Sequence, residues 1–302
     1  SSEVSMSKLI QGILPALCTP FDDHLSLVVD HVPPLVRALI DARTNGFFVC
    51  GGTGEGRQMT VEERRRMCEA VCQTVAGQVP VVFHVGGTTT EDAVELARRA
   101  RSLGADAVAS VAPADQPNDL AAAVKHYAAI GGASDLPFYV YWLATDADGS
   151  VTPGQFLAAM ETVPNFAGVK FTDTNFYKFQ QLIDLSHGTL NAVTGPDEMC
   201  IAGMAMGSDG AIGTTYNIMP RLYVDMYEAF HAGRVPEAME MQVNANRVIA
   251  LLISVGVLGG VKAMLGWRGL PVGPPRPPIP ALTPEGERCL RAGLDAFDFD
   301  VA

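Results

Sequence analysis

Lysine is scarce in this chain: Lys8, Lys125, Lys170, Lys178 and Lys262 are all it has in 302 residues. Positive charge as a whole is in short supply. The formal net charge of −12 would repel a polyphosphate, which argues against nonspecific nucleic-acid binding while leaving room for a small anion in a locally positive pocket. No C-x-x-C pair exists among Cys18, Cys50, Cys68, Cys72, Cys200 and Cys289. The thiols therefore read as reduced, buried small hydrophobes of a cytoplasmic protein. The six histidines (24, 31, 84, 126, 187 and 231) show neither H-x-H nor H-E-x-x-H spacing, so no metal site is expected. The longest apolar stretch, "VIALLISVGVLGG" (248–260), is short and broken by glycine, too short for a bilayer span. The first residues, "SSEVSMSKLIQG", lack a basic segment followed by an apolar run. No signal peptide is expected, and the residues before Met6 read as a cloning remnant.

What the chain does have is an alternation of short β-type runs with amphipathic stretches. Candidate strands are "GILPALCTPF" (12–21), "GFFVCGG" (46–52), "VPVVFHVGG" (79–87), "ADAVASVAP" (105–113), "LPFYVYWL" (136–143), "FAGVKFT" (166–172), "LNAVTGP" (190–196) and "GAIGTTYN" (210–217). Most are continuously apolar, as parallel strands covered on both faces must be. Between them, "TVEERRRMCEAVCQTVAG" (60–77) and "TTEDAVELARRARSLG" (89–104) read as helices. Thr60 with Glu63 and Thr89 with Asp92 supply caps, and Gly77 and Gly104 the stops. Eight such repeats point to a TIM (β/α)8 barrel over residues 1–232. A doubly wound open sheet is second, since no G-x-G-x-x-G follows the first strand. Residues 233–302 read as a C-terminal helical region, with helices near 235–256, 260–267 and 284–297 around a rigid Pro-rich link, "LPVGPPRPPIP" (270–280).

Reactive groups of a TIM barrel gather at the C-terminal strand ends. Those ends carry Thr19, "GGTGEG" (51–56), His84, Tyr141, Lys170 with Thr172, "TGPDE" (194–198) and "GTTYN" (213–217). Lys170 stands in the middle of an apolar strand, whereas Lys262 lies in an apolar helix-like stretch from which its stem could snorkel. Desolvation disfavours an ammonium and so favours the neutral amine that attacks a ketone. The alternative for Lys170 is a structural pair with a carboxylate. Tyr141 either shuttles protons or packs as core. The glycine-rich loop has no Gly-Lys-Ser/Thr ending, so it is no Walker loop. It is either an anion cradle of backbone N–H groups or a plain tight turn, and Glu55 is expected to bond local backbone. Asp197 and Glu198 could equally cap a helix.

With these residues in view, the chain resembles the pyruvate-dependent class I aldolases of the N-acetylneuraminate lyase and dihydrodipicolinate synthase family. The likeness spans nearly the whole chain. It rests on "GGTGEG", the Tyr141 strand, "GVKFT" (168–172), "GPDEM" (195–199) and "GAIGTTYN", in the family's order. The resemblance implies a barrel that acts without metal or organic cofactor, commonly as a homotetramer. Lys170 would form a Schiff base with pyruvate, Tyr141 would be the acid/base, and Gly52 and Thr53 would hold the pyruvate carboxylate. The lyase branch is the more similar. There Thr172, Gly195, Asp197, Glu198, Gly213 and Thr214 would hydrogen-bond the polyol tail of a sugar acid. Dihydrodipicolinate synthases carry an arginine soon after the tyrosine, where this chain reads "YWLATDADGS" (141–150).

Three differences stand out. Gly52 replaces one of two consecutive hydroxyl residues, "APADQPN" (112–118) lacks an aromatic, and Trp142 with Asp146 and Asp148 is expected to reshape the mouth. The implied activity is reversible cleavage of a 2-keto-3-deoxy sugar acid, foremost N-acetylneuraminate, to pyruvate and N-acetylmannosamine. The alternatives are an aldolase or dehydratase of another keto-deoxy sugar acid, and a keto-acid-binding protein without turnover.

Overall fold

Residues 8–301 are described by the structure, a computed structural model. The stretch read as a cloning remnant, and with it the absence of a signal sequence, falls largely outside the described residues. Eight short strands pair in parallel: β1 Gly12–Pro15, β2 Phe47–Val49, β3 Val81–His84, β4 Ala107–Ser110, β5 Phe138–Leu143, β6 Phe166–Thr172, β7 Asn191–Thr194 and β8 Gly210–Gly213. The order β1-β8-β7-β6-β5-β4-β3-β2 closes where Ala16 bridges Phe48 and Leu17 N–H donates to Phe48 O at 2.9 Å. This is the expected TIM barrel, each strand lying within the run read for it.

Helices surround the ring: α1 Val32–Asp41, α2 Val61–Val75, α3 Thr90–Leu103, α4 Leu120–Ala133, the single turn α5 Ala147–Ser150, α6 Pro153–Met160, α7 Phe176–Leu185, α8 Cys200–Ala205 and α9 Pro220–His231. Thr60 and Glu63 form the reciprocal capping box at α2, whereas at α3 only the Thr89 hydroxyl accepts from the Asp92 N–H. Helix α2 stops one residue earlier than read, with Ala76 rather than Gly77 as its left-handed cap. Beyond the barrel come α10 Val235–Val255, α11 Val257–Trp267 and α12 Pro284–Asp295. The apolar stretch 248–260 straddles a bend of 111° between α10 and α11, and no single described helix is long and apolar enough to cross a membrane.

Side chains of consecutive strand residues alternate between two cores. Leu14, Phe48, Val82, Ala109, Tyr139, Val193 and Ile212 fill the barrel, while Val140, Trp142, Val169 and Phe171 pack outward against helices. This alternation decides what Lys170 and Tyr141 face, because each lies between two outward neighbours. An irregularity at the start of the β5–β6 ladder skips Ala167, after which the pairing runs in step and sets Tyr141 directly opposite Lys170.

Two expectations are corrected. Lys262 does not snorkel: its side chain is 1% exposed, and its Nζ lies 2.7 Å from the Glu55 carboxylate. Glu55 in turn bonds residues more than 200 positions away rather than local backbone. Of the thiols, Cys289 is exposed while the other five are buried.

Nor does Trp142 reshape the barrel mouth. One residue past Tyr141, it points outward, stacks near Phe156 and Phe171, and is fully buried. Asp148 turns away as well, accepting a hydrogen bond from Tyr127 Oη at 2.6 Å while its other oxygen has no partner. Burial pushes the Asp148 carboxyl up to about 7, against the Tyr127 hydrogen bond and with help from nearby Asp146. A carboxyl raised above its unfolded pKa contributes stability that is whole below about pH 4 and lost as pH rises through about 7. Asp148→Asn keeps an acceptor for Tyr127 but cannot ionise. Denaturation at pH 4 and pH 8 is expected to show the variant gaining a few kcal/mol on the parent, at about 1.4 kcal/mol per pKa unit. Parallel pH profiles for the two proteins would refute this.

Candidate active site

Lys170 enters the barrel because its strand neighbours Val169 and Phe171 are drawn outward. The residue is 5% exposed. Its Nζ sits 3.5 Å from the centroid of the Tyr141 ring and 5.3 Å from that of Phe48, and donates to Thr172 Oγ1 at 3.3 Å. Among the described residues no carboxylate forms an ion pair with it, in contrast to Lys262. The buried lysine paired with an acid, an open alternative from sequence, is thus Lys262. Two aromatic faces stabilise a cation at Lys170 by about 0.5–2 kcal/mol each without neutralising it, an environment suited to a group that changes charge during a reaction.

Around this amine lies a cavity of about 90 Å3. Every sequence-nominated residue except Asp197 and Glu198 lines it: Gly52 and Thr53 from the loop after β2, Tyr141, Lys170 and Thr172 from β5 and β6, and Gly195, Gly213 and Thr214 after β7 and β8. Thr53 and Thr214 share a hydroxyl–hydroxyl hydrogen bond of 2.6 Å. Gly195 has to lack a side chain, since a Cβ there would lie 2.1 Å from Thr172 Oγ1 and displace the acceptor of the Lys170 bond. Gly52 differs: a Cβ there would meet nothing within 4 Å. The missing hydroxyl therefore leaves open space at the cavity rather than a filled contact.

Asp197 is held beside the cavity. Its Oδ2 accepts from the Thr215 N–H at 2.7 Å and the Thr215 hydroxyl at 2.6 Å. Burial pushes its carboxyl up to about 6, opposed by those two bonds. The Asp197 side chain does not cap the short helical turn that it begins. Instead it fixes the chain that follows β8, and so the position of Thr214. Glu198 is exposed, and its carbonyl accepts from Asn246 of α10 at 3.1 Å.

Sequence reasoning collected His84 as a strand end without giving it a role, and did not name Phe48 or Arg57. His84 closes β3, a position that the rule of strand ends does single out. Its ring lies 5.7 Å from those of Phe48 and Tyr141. Its Nδ1 donates to Cys50 O at 3.2 Å, since a carbonyl only accepts. Burial, with the charges of Arg64, Lys170 and Arg57 adding, holds the imidazole well below its ordinary range and so neutral. With Arg57, His84 lines a second cavity of about 260 Å3 that shares Gly52 and Tyr141 with the first. A larger hollow of about 800 Å3 lies at the other end of the barrel, beside Lys8, Tyr139 and Asn191, away from Lys170. Among the described residues no group of three or more His, Cys, Asp or Glu side chains is placed to hold a metal ion.

Known proteins share both the sequence and this architecture. Residues 9–296 match the Dihydrodipicolinate synthetase family. The chain is 35% identical over 272 residues to an N-acetylneuraminate lyase of Rhizobium meliloti, covering 89% of each protein. It is also 35% identical over 285 residues to an uncharacterized DapA-like lyase of Halobacterium salinarum, covering 94% of this chain and 93% of that one. The Proteus mirabilis N-acetylneuraminate lyase structure superposes with a TM-score of 0.90 at 29% identity, covering 97% of this chain and 100% of the other. With agreement along nearly the whole chain, in sequence and in fold, this protein belongs to the dihydrodipicolinate synthetase family, whose members include pyruvate-dependent lyases.

Proposed function

We propose that this protein is a Schiff-base aldolase that reversibly cleaves a 2-keto-3-deoxy sugar acid, foremost N-acetylneuraminate, to pyruvate and an aldose. The observation that carries this reading is Lys170 itself, a buried amine without a counter-ion, set against the Tyr141 ring at the edge of a small hydroxyl-lined cavity. The N-acetylneuraminate lyases among its relatives support the choice of substrate.

In this reading the neutral Lys170 amine adds to the C2 ketone, and the carbinolamine, taking one proton from solvent on its hydroxyl, loses water to give an iminium. The cation forms over the Tyr141 and Phe48 rings, where the π faces favour it. Thr172 Oγ1, by accepting one Nζ–H, orients the lysine lone pair toward the carbonyl. The substrate carboxylate takes the Gly52–Thr53 turn, with the Thr53 and Thr214 hydroxyls able to donate. Tyr141, as phenolate, accepts the C4 hydroxyl proton as the C3–C4 bond breaks and its electron pair enters the iminium, leaving an enamine and an aldehyde. The phenol then returns that proton to C3, and water releases pyruvate from the lysine. Thr172, Gly195, Asp197, Glu198, Gly213 and Thr214 make up the side of the site that meets the hydroxylated tail, with Asp197 acting through the Thr215 bonds that set Thr214. No metal or organic cofactor takes part. We further read the enzyme as a cytoplasmic homotetramer, with residues 1–232 as the catalytic unit and 233–302 as its helical complement.

Borohydride reduction in the presence of pyruvate, followed by peptide mapping, is expected to add a reduced pyruvoyl mass to the peptide carrying Lys170. Lys170→Ala is expected to abolish both the adduct and turnover. An adduct on another lysine, or pyruvate binding without any adduct, would sink the mechanism. Product analysis separates the substrate readings: N-acetylmannosamine with pyruvate supports the lyase, and a keto acid of unbroken carbon chain would instead make the enzyme a dehydratase. For Tyr141→Phe, steady-state assays are expected to show a loss of at least about 100-fold in turnover with pyruvate trapping retained. If trapping vanished as well, Tyr141 would belong to imine formation rather than to the cleavage step.

A further inference from the structure

The loop that would receive the keto-acid carboxylate is closed by two backbone bonds of its own, Glu55 N–H to Gly52 O and Gly56 N–H to Gly51 O, both at 3.0 Å, yet it carries strain that calls for further support. Between β2 and α2 the backbone turns through two non-glycine residues in the left-handed region, Cys50 at φ 61° and Glu55 at φ 58°. It also folds back so closely that a Cβ on Gly56 would lie 2.0 Å from Cys50 O. Conformations of this kind cost on the order of 1–3 kcal/mol per residue and persist only where surrounding contacts over-determine them.

Besides the loop's own bonds, such contacts come from the far end of the chain. Glu55 is buried and uses both carboxylate oxygens, Oε1 on Lys262 Nζ at 2.7 Å and Oε2 on the Arg276 N–H at 2.6 Å. Lys262 has three N–H bonds to give, and all are placed: one on Glu55, one on Thr19 O at 3.0 Å and one on Pro274 O at 3.2 Å. Thr19 then reaches back, its hydroxyl donating to Gly54 O at 2.6 Å. The Arg276 guanidinium completes the clasp by bonding Gln58 O and Glu63 at the start of α2. Lys262 and Arg276 both lie over the Phe21 ring, at 4.6 and 4.1 Å.

We propose that Lys262 is a positioning residue for the keto-acid carboxylate. Its ion pair with Glu55 ties the Gly52–Thr53 turn to α11, to the Pro-rich link and to the chain following β1, so helix α11 sets the binding end of a site whose chemistry lies elsewhere. Lys262 does not line the Lys170 cavity, and it acts through Glu55 and Thr19. Fixing the turn leaves the Lys170–Tyr141 pair alone, because that pair is held by the β5–β6 ladder. Substrate affinity and chemistry therefore depend on different parts of the fold.

The test rests on the Schiff-base reading and is arranged to fail separately from it. In the parent protein, the pyruvate concentration for half-maximal borohydride trapping is measured, together with the adduct yield at saturation. Absence of any adduct in the parent counts against the Schiff-base reading alone. Lys262→Met is expected to raise the half-saturating concentration about tenfold or more, since small displacements of binding groups carry costs of that size, while the yield at saturation stays near that of the parent. Lys262→Met leaves Glu55 buried without its partner and could for that reason fail to fold. The combined variant Lys262→Met, Glu55→Gln removes both charges, keeps an acceptor for the Arg276 N–H and restores folding. The same rise in half-saturation is expected of it, because the tie to Thr19 and Pro274 is gone. A folded double variant with the parent's half-saturation would overturn the proposal. So would a fall in saturating yield with half-saturation unchanged, which would make Lys262 a purely structural support.

Discussion

The pairing of Tyr141 with Lys170 across the β5–β6 ladder is the constraint on which the site depends. Strand alternation sends both side chains inward because their neighbours on either side are drawn out to the helices. A slip of one residue in that register would reverse every face of the strand and turn the amine out toward the helices. The irregularity at Ala167 is therefore part of how the site is built, since it brings the register into step two residues before the pair is reached. The same alternation turns Lys170 Nζ toward two ring faces and one hydroxyl rather than toward an ion-pairing carboxylate.

Two buried lysines with opposite surroundings show what separates structure from chemistry here. Lys262 has an acid and two carbonyls, which take up all the hydrogen bonds it can donate. Breaking one side of such a pair costs about 3–5 kcal/mol, and nothing about it invites reaction. Lys170 has one hydroxyl and a cavity. Sequence alone separated them only by element, Lys170 in a strand and Lys262 in a helix-like stretch, because neither run shows which carboxylate its lysine meets. The partner of Lys262 is 207 positions away, a distance over which local pattern carries no information.

The barrel itself was legible because parallel strands buried on both faces must be continuously apolar, and the eight runs, the caps at Thr60 and Thr89 and the spacing between them leave few arrangements. Lys170 and Tyr141 were legible for the same reason, as polar groups at strand ends. Trp142 was misplaced for want of a step that the sequence did allow: one residue beyond an inward Tyr141, it has to face outward. His84 was collected as a strand end but given no role, and Arg57 was passed over, because an isolated histidine and one arginine among many have no spacing signature. Their relevance comes from the meeting of β3 and β5 with the loop after β2, which is a tertiary fact.

A closed barrel has little room for a ligand at its axis, and this one gains it at its weakest seam. β1 meets β2 through a single bridge, Ala16–Phe48, and above that seam the loops after β2 and β8 are joined by the Thr53–Thr214 hydroxyl pair. In that pair one hydroxyl spends its proton on the other. A carboxylate arriving between them could accept from both, exchanging one neutral hydrogen bond for two charge-assisted ones, which are roughly twice as strong. The seam is thus stapled when empty and better satisfied when filled. The two loops so joined are held from outside, the one after β8 by Asp197 through Thr215 and the one after β2 by Glu55 through Lys262. Both acids face away from solvent and act on backbone and hydroxyl positions. With the loops fixed in this way, an acidic protein can present a small anion with oriented donors and one buried amine, and no surplus of positive surface is needed to draw it in.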